Sequence, residues 1–92
     1  MQLRLSRAEK IANRISDSLR LKADQRNKLL KIESDLERQK FDIWEREEKD
    51  KKTIGIKLRE VEINRDFLYK EVMTNEQYKQ YLAKKRILLN NN

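Results

Sequence analysis

Apolar residues recur at helical spacing almost from one end of this chain to the other. Laid out at 100° per residue, Ala8, Ile11, Ala12, Ile15 and Leu19 fall within about 100° of arc, while Arg7, Lys10, Arg14 and Asp17 lie elsewhere. Ser6 with Glu9 three residues later forms a capping box, so a one-faced helix is predicted over about residues 7–20. About 14 residues is too short to be firmly helical alone in water, so the stripe must lie on something. A second stripe, Leu29, Ile32, Leu36 and Ile43, predicts a helix over about 23–49. Lys40 falls near its middle, where a lysine can bury its stem and put its ammonium in water. Leu30, Phe41 and Trp44 sit about 60° to 120° round from Leu29 and widen the apolar arc, which argues for two neighbours.

A third stripe, Ile54, Leu58, Val61, Leu68 and Val72, predicts a helix over about 53–72 in nearly the same phase as the second. Between Trp44 and Ile54 no apolar residue occurs, and two readings are open. A hairpin turn there is favoured by Asp50, Thr53 and Gly55, and by the length of the alternative, since one 50-residue helix would extend about 75 Å. A continuous helix is favoured by the shared phase and the absence of proline. Ile56, Ile63 and Phe67 lie roughly 180° from the third stripe, so this helix is apolar on two opposite faces. One face can serve the hairpin and the other a second subunit or a ligand; alternatively the first helix covers it within one chain. A fourth helix is predicted over about 75–89, with Tyr78, Tyr81, Leu82 and Leu89 on one side. Lys84, Lys85 and Arg86 occupy its last turns, where cations complement the helix dipole, and residues 90–92 form a tail.

The corners between helices carry the most specific pattern. Met73-Thr74-Asn75-Glu76-Gln77 is a capping box with Met73 and Tyr78 placed as a hydrophobic staple. Leu21-Lys22-Ala23-Asp24-Gln25 repeats it 52 residues earlier in weaker form, because Lys22 offers no acceptor at the cap. The paired corners, in Leu21, Gln25, Met73, Thr74 and Gln77, resemble the LTxxQ repeat of the Spy/CpxP family of small periplasmic helical proteins. The second copy departs from it by Met for Leu and the first by Lys for Thr. The resemblance covers about residues 15–86, and between the corners it is one of pattern and length. It implies an elongated all-α hairpin of about four helices that pairs into an antiparallel, cradle-like dimer. It further implies an ATP-independent chaperone of the bacterial envelope, or a relative that regulates an envelope-stress sensor, with a secretion signal removed ahead of Gln2.

Composition agrees with long helices in one domain over residues 1–92: 42% charged and 37% hydrophobic residues, no proline and a single glycine. A chain this short leaves much surface exposed when folded, so a homodimer is expected. The net charge of +7 raises nucleic acid, an anionic membrane or an acidic partner as candidates. The middle of the chain is nearly balanced, however, whereas a nucleic-acid surface more often shows a basic stripe unbroken by carboxylates. Nucleic acid is therefore the least favoured partner, and no apolar stretch approaches the roughly 18 to 20 residues of a membrane span. Unfolded client proteins or a sensor protein are the favoured ones.

Without histidine or cysteine the usual zinc and copper sites, imidazole acid–base catalysis and thiol nucleophiles are missing. Glu45, Glu47, Glu48 and Asp50 point in different directions on a helix, and one glycine cannot build a phosphate loop. No catalysis, cofactor or metal is expected. The candidate interface or client-binding residues are Ile56, Ile63 and Phe67, with Phe41 and Trp44. Arg65, on the apolar line between Val61 and Leu68, is either an interface anchor or an arginine paired with Asp66 or with a glutamate of the second helix.

Overall fold

A computed structural model describes residues 6–47 and 50–90. Its four helices are α1 (Arg7–Leu19), α2 (Ala23–Arg46), α3 (Lys51–Val72) and α4 (Asn75–Leu88), and the described residues contain no strand. Each helix packs on its neighbours in chain order, and α1 also packs on α4, so the four close into a ring. The ring is short. α2, with 24 residues, is about 36 Å long and α1, with 13, about 20 Å. Arg7, at the start of α1, reaches Glu37 at 3.5 Å, so beyond that level α2 continues without α1 beside it. The result is a four-helix bundle at one end of a longer two-helix arm.

Local chemistry explains most of the boundaries. At the start of α1 the Glu9 N–H donates to Ser6 Oγ at 3.1 Å, and the Ser6 N–H donates to Glu9 Oε1 at 3.2 Å. At its end Arg20 takes the left-handed conformation, with φ 55°, and its N–H donates to the Ser16 carbonyl. That conformation is ordinarily left to glycine and costs a larger side chain about 1 kcal/mol. The turn between α2 and α3 settles the choice between a hairpin and one continuous helix. Asp50 caps α3, accepting from the Thr53 N–H at 3.1 Å and from Thr53 Oγ1 at 2.6 Å. α3 therefore begins at Lys51, two residues ahead of the expected 53, and Gly55 lies inside the helix and not in the turn. α2 ends at Arg46; the expected continuation over Glu48 and Lys49 falls outside the described residues, as do Asn91 and Asn92 of the expected tail.

The bundle core comprises Ile11, Ala12, Ile15, Leu19, Leu29, Tyr69, Met73, Tyr81 and Leu88, with Leu21, Leu30, Ile32, Val72, Tyr78 and Leu89 packed against it. On α4 the fully buried aliphatic residue is Leu88, whereas Leu89 is half-buried and Leu82 is exposed. The rings of Tyr69 and Tyr81 meet edge to face with centroids 5.1 Å apart, and Tyr78 stacks on Tyr81 at 6.0 Å. Arg14 closes the far end of α4, donating to the carbonyls of Leu88, at 3.4 Å, and Asn90.

The two motif corners meet. Gln25 Nε2 donates to Gln77 Oε1 at 2.8 Å and to the Val72 carbonyl at 3.0 Å, while Gln25 Oε1 accepts from the Lys22 N–H at 2.9 Å. Gln77 Oε1 also accepts from the Thr74 N–H at 3.0 Å, and Thr74 Oγ accepts from the Gln77 N–H at 3.2 Å. Lys22 and Thr74 have almost the same extended backbone, with φ −73° and ψ 162° against φ −69° and ψ 165°. Lys22 thus occupies a cap geometry without a cap side chain, and only the returning half of its box forms.

Candidate binding surface

The interior of the hairpin is charged. Glu33 on α2 and Arg65 on α3 are 0% and 2% exposed, inside a layer of otherwise apolar residues. Arg65 Nε donates to Glu33 Oε1 at 2.6 Å and its Nη2 to Glu33 Oε2 at 3.2 Å, a two-point pairing of guanidinium with carboxylate. Tyr69 donates its hydroxyl to Glu33, and Arg65 also donates to Glu62, which in turn pairs with Lys40 at 2.8 Å. A parallel link joins α3 to α4: Tyr81 donates to Asp66 Oδ1 at 2.8 Å and Lys85 pairs with the same carboxylate.

Burial and pairing shift several of these groups. Burial pushes the Tyr69 hydroxyl up, and the Glu33 charge and hydrogen bond push it further. Tyr81 rises for the same reasons, through burial and then Asp66. Burial tends to raise the Glu62 carboxyl, but the Lys40 hydrogen bond and the Arg65 and Lys40 charges outweigh it and hold it below the ordinary range. Burial opposes the charge on Arg65, yet its bonds and charge pairing with Glu33 and Glu62 raise it overall. Among the described residues no group of three or more histidines, cysteines, aspartates or glutamates is placed to hold a metal ion.

Arg65 is thus occupied within the chain, with a glutamate of α2 as its partner, and presents no surface to another molecule. Lys40 likewise meets a carboxylate and not only water. Glu33 escaped the sequence reading, although it lies about 40° from Leu29, inside the same stripe; the angular test that singled out Arg65 would have found it.

Several large apolar residues of the hairpin are exposed. Ile56, Ile63 and Phe67 on α3 are each more than half exposed, as are Phe41 and Trp44 on α2. α1 lies beside α2 and α4 and meets α3 only on its core side, where Tyr69 sits, so it does not cover the second face of α3. The molecule is only 22 Å through its thinnest direction, about two helix diameters, and among the described residues no further layer does so. Ile56 shares a shallow groove with Lys51, Lys52, Gly55 and Arg59, so one end of the apolar row is rimmed by cations. α2 has the two neighbours that its wide arc called for, α1 and α3, and Leu30 packs against the core, but Phe41 and Trp44 stay more than half exposed. Comparison of the chain with protein-family models, with curated proteins and with solved structures finds no match.

Proposed function

We propose that this is a non-catalytic binding protein that holds unfolded or partly folded proteins on a basic and apolar surface, without ATP. The observation that carries the reading is the row Ile56, Ile63 and Phe67, more than half exposed on a helix whose opposite face is spent on the hairpin. Isolated exposed aliphatic residues are ordinary, but an aligned row of three large apolar residues on one helix face is the kind of feature that marks an interaction site. Cations at Lys51, Lys52 and Arg59 would gather acidic chains over a distance, and the row would hold their apolar segments. The resemblance of the two corners to the LTxxQ repeat supports placing the activity in the bacterial periplasm. It also supports a working unit of two copies joined into a cradle.

The experiment is light scattering from a denatured client with near-stoichiometric amounts of this protein, without nucleotide, at two salt concentrations. The expected result is suppressed aggregation, more strongly at low salt, because at about 0.15 M salt charges are screened beyond roughly 8 Å. Ile63→Ser with Phe67→Ser is expected to remove the protection while leaving the helical circular dichroism intact. Absence of protection at either salt would refute the chaperone reading. A single saturable complex with one folded partner through the same row would put a regulatory protein in its place.

A further inference from the structure

Folding brings the two basic ends of the chain together, although they are far apart in sequence. α1 and α4 lie side by side, and residues 7–22 and 74–90 carry nine basic groups, Arg7, Lys10, Arg14, Arg20, Lys22, Lys79, Lys84, Lys85 and Arg86, against Glu9, Asp17 and Glu76. This layer therefore holds +6 of the net charge of +7. Arg7, Arg14 and Lys85 are engaged with Glu37, the end of α4 and Asp66. Among the described residues no carboxylate pairs with Lys10, Arg20, Lys79, Lys84 or Arg86.

On α4 those cations are interleaved with aliphatic residues on the side away from the core. Lys79, Leu82, Ala83, Arg86 and Ile87 fall within an arc of about 140° and are all exposed, Ile87 at 74%. Glu76, at the start of the helix, is the one carboxylate of α4. A helix with its core side satisfied has no need of a second apolar side, and the cations around it exclude a dry contact with another basic copy of this chain.

From this placement we propose that the outward side of α4 docks on the surface of an anionic phospholipid bilayer. Lys79, Lys84 and Arg86 would sit among the headgroup phosphates, and Leu82 and Ile87 would enter the boundary of the acyl layer. Charge complementarity selects an anionic occupant. The aliphatic residues select a lipid surface over a nucleic acid, because phosphate binding uses no aliphatic insertion and base stacking needs aromatic rings, which the outward side of α4 lacks. The surface belongs to a different helix from the row on α3, so it stands or falls independently of the client-binding reading.

The test is co-sedimentation of the full chain with vesicles of equimolar phosphatidylglycerol and phosphatidylcholine, beside vesicles of phosphatidylcholine alone. Each cation brought to an anionic surface strengthens binding roughly fivefold. Binding is therefore expected on the anionic vesicles only, weakening at least tenfold in Lys79→Gln, Lys84→Gln, Arg86→Gln and severalfold in Ile87→Ser. Ile87→Trp in a Trp44→Phe background reports insertion directly, as a blue shift of fluorescence on the anionic vesicles. Circular dichroism confirms that each variant is folded, and Ile63→Ser should bind vesicles like the parent. No binding to the anionic vesicles would overturn the proposal. So would equal binding to duplex DNA or polyglutamate that is indifferent to Ile87→Ser, which would make the layer a general polyanion site.

Discussion

Arg65→Met isolates the energetics of the buried pair. The substitution keeps an unbranched stem of similar reach but removes both guanidinium bonds to Glu33, whose carboxylate is then left in the hairpin interior with only the Tyr69 hydroxyl. Breaking a buried ion pair from one side costs about 3 to 5 kcal/mol, because the remaining charge stays desolvated and unpaired. A domain of 92 residues holds about 5 to 14 kcal/mol in all, at about 0.05 to 0.15 kcal/mol per residue, so this one change removes about a fifth of it or more. Urea unfolding followed by circular dichroism measures the loss. With a slope of about 1 to 3 kcal/mol per molar urea, the midpoint should fall by about 2 M. Replacing the whole set, as Glu33→Leu, Arg65→Met and Tyr69→Phe, should instead leave stability within about 1 kcal/mol of the parent or raise it, since no fully buried charge remains and Glu62 keeps Lys40 as its partner. A loss below about 1 kcal/mol for Arg65→Met alone, the ordinary size for a point substitution, would mean that water reaches Glu33, and would refute the burial argument.

Three further outcomes follow from the caps and the tyrosines. Thr74→Ala should cost about 1 kcal/mol, while Lys22→Thr, placed on the same backbone geometry, should add about 0.5 to 1 kcal/mol by supplying the missing acceptor to Gln25 N–H; paired thermal melts read both signs. Arg20→Gly should raise the melting temperature, by about 1 kcal/mol of relieved left-handed strain, and an unchanged or lower melting temperature would count against that strain. Stability should fall on both sides of neutrality. The depressed Glu62 contributes above its ordinary value of 4.5 and is lost as pH falls through its folded value; the raised Tyr69 and Tyr81 contribute below their ordinary value of 10.0 and begin to be lost above it. Urea midpoints across pH, with tyrosinate absorbance on the alkaline side, check both limbs.

Periodicity and capping make the helices legible in the sequence, because the stripes of α1, α2 and α3 are long and the boxes at Ser6 and Thr74 are local chemistry. The turn after α2 was ambiguous for a physical reason. Its polar residues suit a solvated helix as well as a loop, and the deciding contact, Asp50 with Thr53, is a capping bond that only a break in the helix brings into play. Gly55 misled because glycine ordinarily marks a turn, whereas here it faces open space within α3. Arg65 was legible as a residue out of keeping with its stripe, but its partner required knowing which turn of α2 lies opposite, a matter of register that no single helix records. On α4 the assignment of Leu89 in place of Leu88 reflects the ambiguity of two adjacent leucines at the end of a helix.

The junction of Gln25 with Gln77 makes the two corners a single mechanical element. Both terminal helices enter through it, one side-chain oxygen serving α4's own start and the grip on α2 at once. Loosening either corner therefore loosens the other, so α1 and α4 should detach from the hairpin as one unit and not fray in turn. What would be left is the bare α2–α3 pair with its inner surface uncovered. In hydrogen exchange the amides at the two ends of the chain would share one opening rate, giving this small protein two layers of stability where its size suggests one.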